Sequence, residues 1–168
     1  MPSAARGGYE FRMRWTVLLA ALVAGWVVVP AAAQDAERVA AGAAAWREAR
    51  CATCHGTFAE GGDGMYAPKG ANLRRTALDR GAVVETVRCG RPGRDMPSLL
   101  RGAYVEAACL DVPLGALPQD VRPWRRKLTA AQIEAVVDFL FARVIGNPAI
   151  TRADCELFHG VPEPCVGF

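Results

Sequence analysis

Five consecutive residues, Cys51-Ala52-Thr53-Cys54-His55, constrain this chain more than any other part of it. Two cysteines three positions apart lie on the same side of a helical turn, where each thiol can add to one vinyl group of a haem. The histidine that follows directly is carried under the porphyrin, with a ring nitrogen directed at the iron. C-x-x-C-H is the attachment signature of c-type haem. The motif therefore predicts one covalently attached haem c, held by Cys51 and Cys54 and ligated by His55.

Two other readings of the cysteine pair fit the sequence less well. A thioredoxin-like redox couple is expected within a βαβ unit, and no such pattern surrounds residues 51–54. A zinc site needs a second ligand pair at suitable spacing, and the sequence offers none. The haem interpretation is therefore preferred.

The N-terminus has the features of an export signal. Arg6, Arg12 and Arg14 precede an uncharged stretch of fifteen residues from Trp15 to Val29, and Pro30-Ala31-Ala32-Ala33 follows. This pattern predicts a signal peptide over residues 1–33, cleaved before Gln34, and hence a periplasmic protein. The alternative is an uncleaved membrane anchor, but a spanning helix needs about 20 apolar residues. Cleavage would remove three arginines and one glutamate and lower the formal charge of +3 by two, so the charge gives no argument for nucleic-acid binding.

Four further cysteines remain for the exported chain: Cys89, Cys109, Cys155 and Cys165. An even number in an exported protein indicates disulfides, and three connectivities are open. Cys89–Cys109 and Cys155–Cys165 are favoured because each joins sequence neighbours. A redox-active or metal-binding set is the alternative, although the spacings match no usual zinc pattern.

The remaining pattern is helical, so we predict an all-α domain. An apolar stripe formed by Val39, Gly42, Ala43 and Trp46 predicts a helix from Asp35, its N-cap, to about Arg50. Glycines and a proline over 56–70 predict a loop. A short helix is expected over 76–88, with Val83, Val84 and Val87 facing inward. Thr129 and Gln132 form a capping box for a last helix, whose apolar face is Ile133, Val136, Val137, Leu140 and Val144.

Met96 is the candidate for the second iron ligand. Only Met65 and Met96 follow the signal segment, and Met65 lies too close to His55 in the chain to reach the opposite haem face. Pro97 biases Met96 toward an extended conformation, which suits a side chain presented from a loop. The alternative is a methionine that only packs on the core. His159, the other histidine, is expected at the surface.

These residues together resemble a monohaem class I cytochrome c over about residues 36–145. The motif with Gly56, then Ala71-Asn72-Leu73, Gly90, Met96-Pro97 and the helix after Leu128 all have counterparts in that family. The resemblance implies a small helical domain wrapped around one haem with His55 and Met96 as axial ligands. It also implies that Gly42 and Trp46 of the first helix face Val136 and Phe139 of the last. A carbonyl near Pro68 is expected to hold the second nitrogen of His55.

The chain is also longer than a minimal family member. About thirty residues separate Met96 from the last helix, and a tail over 146–168 carries two of the extra cysteines. We therefore expect a cytochrome domain over 34–168, with a disulfide-stapled extension. The extra cysteines are also similar to those of exported cytochromes found beside periplasmic dehydrogenases.

With both axial positions filled, the iron has no open site, so single-electron transfer is the expected function. A periplasmic dehydrogenase would be the donor, and an oxidase or another cytochrome the acceptor. The alternatives are a cytochrome subunit of a dehydrogenase complex, a haem enzyme with a labile sixth ligand, and a sensor. Two sets of cations are candidates for docking charges or haem propionate partners, with Tyr104 and Trp124 as further propionate partners. The first set is Lys69, Arg74, Arg75, Arg91 and Arg94, and the second is Arg122, Arg125, Arg126 and Lys127.

Overall fold

Helices and connecting loops make up the computed structural model, which describes residues 31–62 and 67–168. Five α-helices follow one another over this part of the chain. They are α1 (Ala31–Glu48), α2 (Ala52–His55), α3 (Arg80–Cys89), α4 (Ala130–Arg143) and α5 (Arg152–His159), with short 3-10 turns at Leu73–Arg75 and Glu163–Cys165. Within the described residues no β-strand occurs, only isolated bridges such as Leu100 to Leu128. The predicted all-α class agrees with this.

The contact between α1 and α4 organises the core. Gly42 lies against the backbone of α4, where a Cβ atom added to it would stand 1.9 Å from the Ala135 carbonyl oxygen. Trp46, one turn further, packs edge-on against Phe139, with ring centroids 6.3 Å apart. Only a residue without a side chain allows this approach, as the resemblance implied. Four of the five residues that the periodicity predicts are buried on α4, together with Phe139, and the fifth, Val144, is buried directly after the helix ends.

Local signals fix the ends of α4 and α3. Thr129 and Gln132 form the predicted capping box, and α4 ends at Arg143. Helix α3 begins at Arg80, later than the predicted Thr76, because the Asp79 carboxylate accepts a hydrogen bond from the Ala82 backbone at 2.8 Å and caps it. Val83 and Val87 are buried as expected, and Val84 is half-buried.

Helix α1, in contrast to α3, begins earlier than the sequence predicts. Asp35 lies inside the helix and is not its N-cap, because the alanines at 31–33 favour helix and extend α1 toward the N-terminus. Most of the expected signal peptide, residues 1–30, falls outside the described residues, and its cleavage stays a prediction. None of the helices that the structure describes has the length and apolar character to cross a membrane.

The last helix of the chain is α5, which the sequence analysis missed. Thr151 and Asp154 form a capping box at its start, and Gly160 ends it in the left-handed conformation. Phe158 of α5 packs against Trp46 and Phe139, with centroids 5.8 and 5.2 Å away. His159 is half-buried rather than at the surface, because its ring packs on Phe58 at 5.8 Å. The extension over 146–168 therefore contributes Phe158 to the core.

Candidate functional site

The cysteine motif sits on a turn of helix that continues from α1. Arg50 has a φ of 58°, which ends α1 and turns the chain into α2. The Cys51 backbone N–H still donates to the Trp46 carbonyl at 3.1 Å, so the two helices are fixed to each other. Cys51 and Cys54 take part in neither disulfide, and both are half-buried on the wall of the same cavity. The structure therefore brings the two thiols together as the C-x-x-C spacing predicts.

The imidazole of His55 has a defined orientation. Its Nδ1 lies 2.9 Å from the Ala71 carbonyl oxygen, and a carbonyl only accepts, so Nδ1 carries the proton. The lone pair is then on Nε2, the nitrogen that a metal can bind. Burial lowers the pKa of His55 and favours the neutral imidazole that ligation requires. A backbone carbonyl near Pro68 was the expected acceptor, and the structure places it three residues later, at Ala71.

Glycines allow the loop after His55 to close tightly over the motif. The Gly70 N–H donates to the Cys54 carbonyl at 2.7 Å. A Cβ atom at Gly70 would stand 2.9 Å from His55 Nδ1, and one at Gly62 would stand 2.2 Å from the Cys54 oxygen. The loop prediction over 56–70 is met where the structure describes it. Met65 lies outside the described residues.

Met96 reaches the same cavity from a separate loop. Gly90 ends α3 with a φ of 70°, and the Arg91 N–H donates to the Met96 carbonyl at 3.0 Å, which closes a tight turn. Pro97 is buried, while Met96 is half-buried and lines the cavity. Its thioether and the His55 imidazole thus border one space, although the ligand role of Met96 stays a prediction.

The cavity itself has about 780 Å³, within the range of roughly 300–1,000 Å³ typical of cofactor pockets. Its walls are mainly aliphatic and come from α3, α4 and the segments next to them. They include Leu73, Val83, Val87, Leu99, Val136, Leu140 and Ile145. A largely apolar space bordered by two thiols, an imidazole and a thioether fits the donor set of haem c. Exposed cations stand at its border, among them Lys69, Arg91 and Arg94.

Several residues that were candidates for partner docking or for binding a haem propionate instead form hydrogen bonds within the protein. Arg74 is buried and donates to the carbonyls of Phe58, Asn147 and Ala149, because the extension covers it. The Tyr104 hydroxyl is also buried and donates to the Cys89 carbonyl at 2.8 Å.

Three more candidates from the segment before α4 are likewise bound to protein groups. Trp124 donates to the Ala49 carbonyl at 3.0 Å, Lys127 to the Ser98 carbonyl at 2.5 Å, and Arg122 pairs with Asp95 at 2.7 Å. Arg75, Arg125 and Arg126 remain exposed.

The other four cysteines form two pairs at disulfide distance. The sulfur atoms of Cys89 and Cys109 are 2.09 Å apart, and those of Cys155 and Cys165 are 1.95 Å apart. These are the two pairs that sequence proximity favoured.

Two residues that shape the site escaped the sequence analysis. Ala71 acts through its backbone carbonyl, so its side chain carries no signal. Phe158 of α5 does have one: Thr151 and Asp154 at capping-box spacing mark a helix start, and a helix there places Phe158 over the aromatic cluster.

Comparison with known proteins supports the assignment that this geometry indicates. A family model described as cytochrome c oxidase, cbb3-type, subunit III, matches residues 37–110. No curated protein and no solved structure gives a significant match. The matched stretch contains the attachment motif, the loop with the Ala71 carbonyl, and Met96, and haem-based electron transfer is the activity that such a domain indicates. The two thiols, the oriented imidazole and this match agree with one another and support a c-type cytochrome domain over residues 37–110.

Proposed function

We propose that this chain is a periplasmic single-electron carrier with one covalently attached haem c in a class I fold, formed by residues 34–168 after removal of the signal peptide. Electrons would come from a periplasmic dehydrogenase and pass to an oxidase or another cytochrome. One observation carries the proposal: Cys51, Cys54, His55 and Met96 all border one apolar cavity.

Each of these residues has a distinct task. Cys51 and Cys54 would hold haem through thioether bonds, and His55 Nε2 and the Met96 sulfur would ligate its iron. When bound, haem supplies a one-electron iron couple, and a methionine ligand raises its potential relative to two histidines. The Ala71 carbonyl holds the imidazole in the ligating tautomer. The aliphatic walls exclude water, which favours the less charged form of a redox centre.

A second role, as the cytochrome subunit of a larger oxidoreductase, is favoured by the family description, which names an oxidase subunit. The two roles differ in whether the protein is isolated alone or in a stoichiometric complex. Co-purification from the native membrane and periplasmic fractions separates them.

The decisive experiment is Met96→Ala in protein matured with haem, compared with Met65→Ala as the matched control. We expect Met96→Ala to lose the ferric methionine-to-iron charge-transfer band, to bind carbon monoxide and to show a lower potential. Met65→Ala should behave as the wild type. An unchanged spectrum in Met96→Ala would refute methionine ligation, and rapid carbon monoxide binding by the wild type would favour a haem enzyme.

A further inference from the structure

The segment 102–121, here called the lobe, carries an unusual surface. Four large aliphatic side chains are exposed on it: Val105 by 62%, Leu110 by 45%, Leu114 by 60% and Leu117 by 56%. Glu106, Asp111 and Asp120 are its charged residues, and it contains no lysine or arginine. None of the three carboxylates forms an ion pair with another described residue. The lobe is thus both apolar and acidic, whereas the cavity border is cationic.

A buried cluster and a hydrogen bond to α3 attach the inner side of the lobe to the rest of the domain. Cys89, Cys109 and Tyr104 form a small fully buried cluster, on which Val112 and Val121 pack. The Leu110 N–H donates to the Glu85 carboxylate of α3 at 3.0 Å, and the Gly115 N–H donates to the Tyr104 carbonyl at 2.6 Å. The second bond brings the segment that carries Leu114 next to the one that carries Val105. A surface fixed in this way loses little conformational entropy when a partner covers it.

Leu110 is the most informative of the exposed residues. Its φ is 53°, in the left-handed region where glycine or asparagine fits without strain and a bulky side chain does not. Its side chain remains nearly half exposed, so packing within the domain does not compensate fully for that strain. Strained residues of this kind are concentrated at functional sites. An aliphatic side chain at this position is therefore explained better by a contact outside the chain.

The position of the lobe links it to the cavity. Its Asp120 carboxylate lies beside Gly93, where a Cβ atom would meet it at 3.1 Å, and Arg122, directly after the lobe, pairs with Asp95 at 2.7 Å. Gly93 and Asp95 belong to the loop that presents Met96. Residues 111–121 lie beyond the stretch that the family model matches, so half of the lobe is an addition to the matched domain.

We propose that the lobe is the docking surface for the redox partner, and that this partner presents apolar side chains ringed by lysine or arginine. The proposal rests on the electron-carrier function. Charge complementarity selects the occupant, because three unpaired carboxylates on the same segment as the exposed aliphatic side chains repel anionic membranes and acidic proteins and attract a cationic protein surface. The exposed aliphatics then supply the buried centre that a specific interface needs.

Nuclear magnetic resonance of the ¹⁵N-labelled holoprotein tests this surface with a defined probe. The probe is an amphipathic helical peptide with leucines on one face and lysines beside them, and its control has glutamate in place of lysine. We expect the lysine peptide to shift the amide signals of the lobe, and the glutamate peptide not to do so. Leu110→Gly and the pair Val105→Ser/Leu114→Ser should each weaken binding about fivefold or more, since each loses buried apolar area. The pair Val161→Ser/Val166→Ser, at exposed aliphatics elsewhere, is the matched control and should not change it.

Leu110→Gly separates an effect on partner binding from an effect on stability. Glycine adopts the left-handed conformation without strain, but it lacks the exposed side chain that the partner would contact. The unfolding temperature of this variant should stay at or above that of the wild type while binding falls. Equal binding of both peptides, shifts confined to the border around Lys69 and Arg91, or unchanged affinity in the lobe variants would each overturn the proposal. Binding to phosphatidylcholine vesicles, or self-association that the lobe variants abolish, would assign the surface to a membrane or to a second copy instead.

Oxidation of the reduced holoprotein by ferricyanide tests the carrier function independently of the docking surface. In that reaction one electron leaves the protein and reduces ferricyanide to ferrocyanide. A holoprotein that fails this reaction refutes the carrier function, whereas a competent carrier whose lobe does not bind the lysine peptide refutes the docking surface alone.

Discussion

Replacement of Gly42 by alanine tests the contact on which the cavity depends. The new methyl group would stand 1.9 Å from the Ala135 carbonyl oxygen and 2.7 Å from Phe139 Cβ. One of these neighbours is a backbone atom and the other a Cβ atom, so no rotamer change relieves the overlap. Helices α1 and α4 must move apart by more than 1 Å to reach ordinary contact distances, about 3.2 Å for carbon and oxygen.

The size of the effect follows from two opposing contributions. Overpacking a core costs typically 1–3 kcal/mol, and a backbone overlap belongs at or above the upper end, about 3 kcal/mol. Alanine in place of glycine inside a helix stabilises the folded state by about 1 kcal/mol, because alanine has the higher helix propensity. We therefore expect the free energy of unfolding to fall by about 2 kcal/mol, a factor of roughly 30 in the equilibrium constant. For a domain of this size the unfolding temperature should fall by about 6–10 °C.

Urea unfolding followed by circular dichroism measures this change, with Gly81→Ala as the matched control. A Cβ atom at Gly81 in α3 would meet only Asp79 Oδ1, at 3.4 Å, so that variant should gain about 0.5–1 kcal/mol. Because Trp46, Val136 and Leu140 of the same two helices line the cavity, Gly42→Ala should also broaden the haem absorption bands. A Gly42→Ala protein as stable as the wild type would refute the close approach of α1 and α4.

Three further changes probe the C-terminal extension. Arg74→Met removes the donor to three backbone carbonyls and should lower the free energy of unfolding in urea by about 2–3 kcal/mol. Arg75→Met, at an exposed position, is the control and should lower it little. Equal losses of stability in the two variants would contradict the buried role of Arg74. Burial disfavours the Asp154 carboxylate, but hydrogen bonds from the Thr151 backbone and hydroxyl and from Arg143 outweigh it and lower its pKa below the usual 3.8. The resulting stabilisation is complete above the unfolded-state pKa and disappears as the pH falls through the lower folded-state value. Asp154→Asn should therefore lose about 2 kcal/mol at neutral pH and less at pH 2–3, and a constant difference would argue against the ionised pair. Removal of the Cys155–Cys165 disulfide by a double alanine change opens a ten-residue loop and should cost about 2–3 kcal/mol, with faster hydrogen exchange in α5 as the local readout.

The parts of the molecule that could be predicted from sequence have local signals. The five residues of the C-x-x-C-H motif are enough to predict haem attachment. A capping box followed by periodic aliphatic residues, about fifteen residues in all, is enough to predict α4. The contact of Gly42 with α4 was accessible only through the family resemblance, since a glycine in an alanine-rich helix does not reveal what approaches it.

The features that were missed depend on distant segments. Arg74 reads as a surface charge in the sequence, and its burial arises because Phe58, Asn147 and Ala149 bring three carbonyls to it. The acceptor for His55 depends on the path of a glycine-rich loop, and such a loop has no period from which its path can be read. The exposed lobe falls between recognisable elements, where patterning gives no assignment.

The pairing of α1 with α4 also sets the order in which this protein can form. Glu48 and Ala130 are separated by roughly 80 residues of chain, so joining the two helices costs on the order of 4 kcal/mol in loop-closure entropy before their contact is formed. The Cys89–Cys109 bond shortens that loop by only twenty residues, which relieves less than about 0.5 kcal/mol. A nascent chain that emerges from its N-terminus therefore exposes the attachment cysteines well before α4 becomes available to complete the core. The structure thus leaves an interval, before the long-range closure, in which both thiols of the motif remain accessible.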